Sequence, residues 1–411
     1  CIRDSFWAGA VGGMALLILA RHTVFFLLGW EFMALSSFFL IRMETAQAEA
    51  RWAAWVYLVT THAGTLCLFA MFALLRGATG TFDFVALDGA QVGLGRLTAI
   101  FALALAGFGL KAGLMPLHFW LPPAHASAPC HVSALLSGIM IKMGIYGLVR
   151  IMGLLPEPPL AWGGVLLAAG GVSGVLGVAF AIGQHDLKRL LAYHSVENIG
   201  IIVMGIGLAM AGRSLGRPEL VLLGLAGGLL HVWNHGLFKS LLFLGAGAVV
   251  HATHTREIDR LGGLAPRMPR TAGLFLLGSA AICGLPPLNG FVSELFLYMG
   301  LFRTVGTGTD TVWTGAAAGV PVLALIGTLA LACFVKVYGV AFLGEPRSQA
   351  ARQAHEAPRT MLVSMAVLGL LCVAIGLLPV TLVPMLEGLA RPWCAGADAT
   401  MPTKMVTALA W

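Results

Sequence analysis

The sequence predicts an all-α protein that crosses a membrane many times, and three observations carry that prediction. Only 10% of its 411 residues are charged and 58% are hydrophobic, with a mean hydropathy of +0.89; soluble domains carry about 25% charged residues. Apolar runs of about 20 residues recur along the chain, long enough to cross the hydrocarbon as helices. Most Arg, Asp and Glu collect in the short stretches between these runs, and the alternating strands of about ten residues that build membrane barrels are not seen.

Reading apolar runs against charged boundaries gives about eleven helices. The first two, 6–20 and 23–41, end at Arg21 and Arg42, and the third, 52–75, lies between Arg51 and Arg76. The fourth, 97–120, follows Arg96, and the fifth, 131–152, closes before Glu157. The next three are 161–183 (before Asp186), 193–211 (between Arg189 and Arg213) and 219–250 (between Arg217 and Arg256). The last three are 271–302 (between Arg270 and Arg303), 316–343 (before Glu345) and 360–385 (between Arg359 and Glu387). The expected organisation is one bundle over 6–152, a second over 161–343, and an additional transmembrane helix at 360–385.

The formal charge of +7 sits mostly in the short loops, where it orients the chain and meets lipid phosphate rather than a nucleic acid. The side holding Arg42, Arg51, Lys188, Arg189, Arg256, Arg260, Arg267, Arg270, Arg347, Arg352 and Arg359 is the more basic, which makes it cytoplasmic by the positive-inside rule. Seven cysteines (Cys1, Cys67, Cys130, Cys283, Cys333, Cys372 and Cys394) show no CxxC and no paired spacing, so they read as packing residues. A chain that opens on Cys1 rather than Met reads as a segment of a longer protein.

An internal echo implies symmetry. Gly113-Leu114-Met115-Pro116-Leu117 in the fourth helix matches Gly284-Leu285-Pro286-Pro287-Leu288 in the ninth. Ile141-Lys142-Met143 with Tyr146-Gly147 in the fifth matches Val335-Lys336-Val337 with Tyr338-Gly339 in the tenth. Both echoes are five helices apart; five is odd, so the second five-helix copy is expected to be inverted in the membrane.

Six charged side chains fall inside the expected spans: Glu31, Lys111, Lys142, Lys239, Glu294 and Lys336. Each costs about 3 kcal/mol near the bilayer centre, and together they exceed the about 5–15 kcal/mol by which folded proteins are usually stable. Static ion pairs or snorkelling are the bland readings, and Lys336, near the end of its span, suits snorkelling equally well. Glu31 sits mid-span in "FFLLGWEFMALSSFF" and Lys111 and Lys142 in "ALAGFGLKAGLM" and "LLSGIMIKMGIYG", so an ion pathway is the better reading for these three. Pro116 withholds a backbone donor and frees a carbonyl one turn back, near Lys111; Pro286 and Pro287 do the same shortly before Glu294. Irregular backbone at membrane depth survives only against protein or a wet cavity, so two broken helices beside ionisable residues mark a hydrated path.

"HVWNHGLFK" sets His231, His235 and Lys239 on one helix face at four-residue spacing, where histidine can relay protons. A His-x3-His pair can also bind zinc, but no carboxylate lies on that face, so no metal is expected. His118, His125 and His131 read as loop residues, with His118 and Lys336 secondary candidates for the path, and His62 and Glu197 fit helix packing or capping equally well. Walker loops, dinucleotide fingerprints, haem CxxCH and Ser-His-Asp patterns are missing, so no cofactor is expected in the chain.

"KAGLMPLHFWLPPAHASAPCHVSALLSGIMIKMGIYGLVR" resembles the signature of the proton-conducting antiporter-like subunits of respiratory complex I, Mrp-type sodium/proton antiporters and energy-converting hydrogenases. "HSVENIGI", "HVWNHGLFKSLLFLGAGAVVHATHT" and "GLPPLNGFVSELF" are most similar to the hydrogenase 4 and formate hydrogenlyase branch, and the likeness runs from about residue 6 to about residue 385. The resemblance implies two inverted five-helix bundles, each with one broken helix. It also implies roles: Glu31 as the acidic partner of Lys111, Lys142 as the next residue of a buried polar axis, Lys239 as the lysine of the second half, and Glu294 as its terminal residue. Some relatives carry lysine at that last position. Cys130 and Pro123 depart from the serine and acidic residue common in the family, and about three helices normally precede the point where this chain begins.

The expectation is therefore a multi-pass subunit of a bacterial cytoplasmic membrane that moves protons within a redox-driven respiratory or hydrogenase complex. Its partners would be other membrane and soluble subunits, the lipid bilayer and protons, with electron transfer housed elsewhere. The alternative is a cation/proton antiporter subunit without redox coupling. A bare scaffold would have no use for six intramembrane charges.

Overall fold

The computed structural model describes residues 2–43, 47–89, 92–304 and 316–394; Cys1 lies outside them. Among these residues regular structure is helical apart from two isolated bridges. The chain divides into two compact units, Cys1–Glu157 and Pro158–Trp411.

The first unit begins with α1 (Ile2–Leu19), α2 (Thr23–Ile41) and α3 (Ala48–Thr79). It continues through α4 (Leu94–Ala112) and the short α5 (Leu121–Ser127) to a last span built from α6 (Cys130–Leu135), a π turn (Leu136–Met140) and α7 (Lys142–Leu154). Helices α1 and α2 meet backbone to backbone, because a Cβ at Gly13 would lie 2.6 Å from the Met33 nitrogen and one at Gly29 2.8 Å from the Leu17 nitrogen. With no hydrophobic drive between helices in lipid, such close approach supplies the dispersion that holds them. Phe26, Trp30, Phe72, Phe84 and Phe108 interlock edge to face in the core of this unit.

The second unit contains α8 (Leu160–Ile182), α9 (Leu187–Ser214), α10 (Pro218–Thr253), α11 (Pro269–Ile282), α12 (Asn289–Phe302), α13 (Gly319–Phe342), α14 (Arg359–Leu377) and α15 (Val383–Ala390). The apolar stretch of helix α9 is buried on every side. Glycine makes that possible: a Cβ at Gly200 would collide with the Gly170 carbonyl oxygen and fall 2.5 Å from the Gly174 nitrogen of α8. Asp186 caps α9, its carboxylate accepting from the backbone N–H groups of Lys188 (2.9 Å) and Arg189 (3.0 Å).

Nine helices of the described residues are long and apolar enough to cross a membrane. That number omits α1 and the segment 269–302, which is divided into two 14-residue helices. Besides that division, the eleventh expected helix ends at Leu377 rather than 385, and three more differ by an early stop, an interruption or a start six residues early. The fourth does not run through Pro116 but stops at Ala112, because Gly113 turns left-handed (φ +76°) and closes the end. The fifth is interrupted by the π turn. The seventh starts at Leu187 rather than 193, because Lys188 at its first turn is buried.

The two units share local construction. In the first, the bridge His22–Asp83 ties the start of α2 to the loop after α3; in the second, Asp186–Glu257 ties the start of α9 to the loop after α10. Both G-L-x-P-L segments end a helix in the same way. Leu114 N–H donates to Gly109 (3.0 Å) and Gly113 N–H to Leu110 (3.3 Å); Leu285 N–H donates to Ala280 (3.2 Å) and Gly284 N–H to Ala281 (3.3 Å). That is the Schellman pattern, with glycine at the left-handed position in each. Each break then turns once more, Leu117 N–H to Leu114 (2.7 Å) and Leu288 N–H to Leu285 (3.0 Å).

The α8–α9 seam yields a direct test. Gly200→Leu should destabilise the detergent-solubilised protein by at least about 1–3 kcal/mol, the usual cost of overpacking. Gly273, with nothing within 4 Å of its would-be Cβ, is the control, and Gly273→Ala should melt at the wild-type temperature. Equal melting of both variants would show that the seam tolerates a side chain.

Candidate functional site: two buried polar clusters beside the helix breaks

Lys111 occupies the last turn of α4 and is 2% exposed. Its Nζ donates to Tyr57 OH (2.8 Å) and Thr61 Oγ1 (3.2 Å), and it lies 5.7 Å from the Trp30 ring centroid and 4.9 Å from that of Tyr57. The ammonium is thus held by two hydroxyls and two aromatic faces. Glu31 on α2 is engaged separately: it accepts from Thr65 Oγ1 (2.5 Å) and pairs with His62 Nε2 (3.3 Å). The direct Glu31–Lys111 contact expected from the sequence is not formed, although the carboxylate stays within Coulombic reach of the ammonium. Tyr57, Thr61 and Thr65 follow one another at four-residue spacing, so one face of α3 presents successive hydroxyls between the carboxylate and the ammonium.

The break itself is tightly closed. Trp120 Nε1 donates to the Leu110 carbonyl (2.7 Å), so a side chain, rather than water alone, takes an oxygen that the helix end releases near Lys111. A Cβ at Gly144 of α7 would lie 2.6 Å from the Phe108 carbonyl oxygen, which shows how closely α7 covers the end of α4. Lys142 is the first residue of α7, buried, with its Nζ bonded to the Ser137 carbonyl inside the π turn. Met140 of that turn accepts from Ser37 Oγ (3.2 Å) and Tyr57 OH (3.7 Å), which ties the turn to the hydroxyl that holds Lys111. π turns are frequent at functional sites. Pro116 is exposed, His118 half-buried, and His125 lies fully buried on α5 rather than in a loop.

In the second unit His231, His235 and Lys239 are all fully buried on α10, as their spacing implies. The Phe238 ring meets both imidazoles edge to face, with centroids 6.2 Å from His231 and 5.6 Å from His235. His231 joins two helices: Nε2 meets Asn198 Oδ1 of α9 (3.0 Å) and Nδ1 meets Ser293 Oγ of α12 (2.9 Å). Asn234 Nδ2 donates to Ser293 Oγ (3.1 Å) and to the Asn289 carbonyl (2.7 Å), and Asn289 Nδ2 donates back to Asn234 Oδ1 (3.2 Å). These bonds link α9, α10 and the second break in one chain of side chains. Lys239 Nζ has no hydrogen-bond partner among the described residues; it lies 5.8 Å from the Phe243 ring centroid and within Coulombic reach of Glu197.

Glu294 sits on α12 just past the second break, 8% exposed. A Cβ at Gly284 would lie 2.7 Å from its Oε2, so the left-handed glycine that ends α11 also makes room for the carboxylate. Pro286 and Pro287 are exposed on the side chain, yet the backbone there is covered: a Cβ at Gly376 of α14 would collide with the Pro287 carbonyl oxygen. Lys336 donates to the Ile182 carbonyl (2.7 Å) and thereby caps the C-terminal end of α8. Among the described residues no three His, Cys, Asp or Glu side chains converge as a metal site would require.

The sequence reading missed Tyr57, Thr61, Thr65, Asn198, Asn234, Asn289 and Ser293. The four-residue spacing of hydroxyls in "WVYLVTTHAGT" was a usable signal. The asparagines and serine gave none, because their partners lie on other helices.

Comparisons with known proteins show what the chain as a whole is similar to. Residues 20–317 match the family described as "NADH:quinone oxidoreductase/Mrp antiporter, TM". Hydrogenase-4 component B of Escherichia coli K12 is 42% identical over 394 residues, covering 95% of this chain and 58% of that protein. Formate hydrogenlyase subunit 3 of the same organism is 39% identical over 392 residues, covering 95% and 63%. The chain therefore spans about three-fifths of the length of these relatives. A chain of the Mrp complex from Dietzia sp. DQ12-45-1b has the same fold, with a TM-score of 0.81 and 23% identity, over 97% of this chain and 78% of that one.

The closed end of α4 predicts a penalty for opening it. Trp120→Phe keeps the aromatic packing against Tyr57 (centroids 5.2 Å apart) but leaves the Leu110 carbonyl without its donor. The expected loss is about 1–3 kcal/mol, the cost of a buried unsatisfied group, read by thermal unfolding in detergent. A wild-type melting temperature would mean that another donor replaces the indole.

Proposed function

Because this chain belongs to the NADH:quinone oxidoreductase/Mrp antiporter transmembrane family, we propose that it moves protons across a bacterial cytoplasmic membrane as a subunit of a redox-driven respiratory or hydrogenase-type complex. The observation that carries this reading is the pair of polar clusters, each set beside a helix break of the same construction. Partner subunits, membrane and soluble, would supply the electron transfer. The family match and the relatives' names, a hydrogenase component and a formate hydrogenlyase subunit, support it.

In this reading the two units are inverted copies of one five-helix bundle, with α14 additional. The matching bridges and breaks support that. So does register: Tyr57, Thr61 and Thr65 precede Asp83 by the same intervals as His231, His235 and Lys239 precede Glu257. One face, used twice, carries hydroxyls in the first copy and titratable groups in the second.

Mechanistically, Lys111 is held by neutral groups in the observed state, while Glu31 is kept one helical turn away by Thr65 and His62. Approach of Glu31 holds Lys111 charged; at about 4 Å and an effective dielectric of about 20 the attraction is about 4 kcal/mol. Its withdrawal lets the proton leave towards Lys142, past Tyr57 and the π turn. In the second unit His231, joined to both Asn198 and Ser293, carries the proton between helices, Lys239 and His235 stand on the same face, and Glu294 is the terminal group. A second reading, a cation/proton antiporter subunit without redox coupling, draws on the fold shared with the Mrp chain. Proton movement driven by a sodium or potassium gradient without electron transfer would favour it.

The test is proton movement in vesicles containing the purified complex. Glu31→Gln, Lys111→Ala and Glu294→Gln should each reduce it at least tenfold while the complex still assembles. Lys111→Arg should do the same, because a guanidinium does not release its proton. Normal pumping by the Arg variant would make Lys111 a structural cation, and normal pumping by all four would end the proposal.

A further inference from the structure

Glu197 and His194 are left over from the chain of hydrogen bonds just described, yet they are the most deeply buried carboxylate and imidazole pair of the second unit. His194 is 0% and Glu197 1% exposed, and His194 Nδ1 is bonded directly to the Glu197 carboxylate. The imidazole also lies against the Phe334 ring, centroids 4.6 Å apart. Burial of this kind is built into the fold. A Cβ at Gly177 of α8 would fall 2.7 Å from the Glu197 nitrogen and 3.2 Å from its Cβ, so only glycine there lets α8 seal the pair from lipid.

Two further observations show what the pair faces. Lys239 of α10 acts electrostatically on both His194 and Glu197. His194 Nε2 and Lys239 Nζ are both buried and both lack a hydrogen-bond partner among the described residues. Among the described residues, other titratable groups within reach of Glu197 include Cys333 of α13, Cys283 after α11 and Glu294 of α12; α8 carries no titratable side chain. The pair is also wired to the relay: Asn198 Nδ2 donates to the His194 carbonyl (2.7 Å), while its Oδ1 meets His231 Nε2 (3.0 Å).

We propose that His194 and Glu197 form a proton-holding site that exchanges a proton with Lys239. This rests on the proton-moving role given above and adds a station to the second unit. The step balances. An N–H bond of the Lys239 ammonium breaks and an N–H bond forms at His194 Nε2, the proton passing through intervening water or on approach of the lysine side chain. Lysine becomes neutral, imidazole becomes imidazolium, and Glu197 stays a carboxylate beside it. The three groups sum to zero charge before and after the step. A proton therefore shifts within the buried site without leaving a net charge in the low-dielectric interior, which would be far costlier. Glu197 is needed in both states, first as counter-ion to the ammonium and then to the imidazolium.

The experiment uses the assembled complex in vesicles, with proton movement recorded as a function of pH. Glu197→Gln keeps the volume and removes the charge; it should lower the rate at least tenfold. Glu197→Asp should restore part of that rate with a displaced pH profile, a response that a packing role would not give. His194→Gln, which leaves the carboxylate in place, should also lose at least tenfold, and it decides the matter if Glu197→Gln fails to assemble. Lys111→Ala in the first unit separates the two levels. If Lys111→Ala abolishes proton movement while Glu197→Gln or His194→Gln keeps the wild-type rate and pH profile, the proton-holding site is refuted and the general function stands. If Glu31→Gln, Lys111→Ala, Lys111→Arg and Glu294→Gln all pump normally, the general function fails, and this inference with it.

Discussion

A charge carried into hydrocarbon has to find its partners inside the protein. The fold follows from how this chain meets that demand. Four of the intramembrane lysines and carboxylates sit where a helix stops, bulges or is crossed by a glycine, because there the backbone leaves room for polar partners. Lys111 lies in the last turn before a left-handed glycine, and Lys142 opens the helix that follows a π turn. Glu294 rests against the glycine that ends α11, and Glu197 against the one that lets α8 close over α9.

The same demand separates the two units chemically. In the first, hydroxyls on α3 share the work of solvating one cation and one anion that do not touch. In the second, one face of α10 carries two histidines and a lysine, and amides and a serine from α9, α10 and α12 bind His231 into a network. A neutral hydroxyl ladder can transmit a proton but cannot keep one, whereas an imidazole can do both. The two clusters are accordingly suited to passing and to holding.

Much of this was legible in the sequence because membrane helices write themselves in long apolar runs and charged punctuation. The G-L-x-P-L echo marked both breaks, and the four-residue spacing of His231, His235 and Lys239 marked a face that is indeed buried. What escaped has a common cause. The stop at Ala112 depends on Gly113 adopting a left-handed conformation, which no apolar pattern reports. The separation of Glu31 from Lys111 depends on Thr65 and Thr61, ordinary residues until α3 is laid between α2 and α4. Lys336 caps a neighbouring helix that its own sequence context does not reveal, and Asn198 becomes significant only beside His231.

The central claim is that Glu31 and Lys111 form no standing ion pair, and that the α3 hydroxyl of Thr65, which binds the carboxylate, governs when Glu31 reaches the ammonium. The most direct measurement is a double-mutant cycle on proton movement, combining Thr65→Val with Glu31→Gln in the reconstituted complex. Thr65→Val alone should slow proton movement at least several-fold, and it should add nothing in the Glu31→Gln background. Fully additive losses, or a Thr65→Val variant at the wild-type rate, would contradict the account.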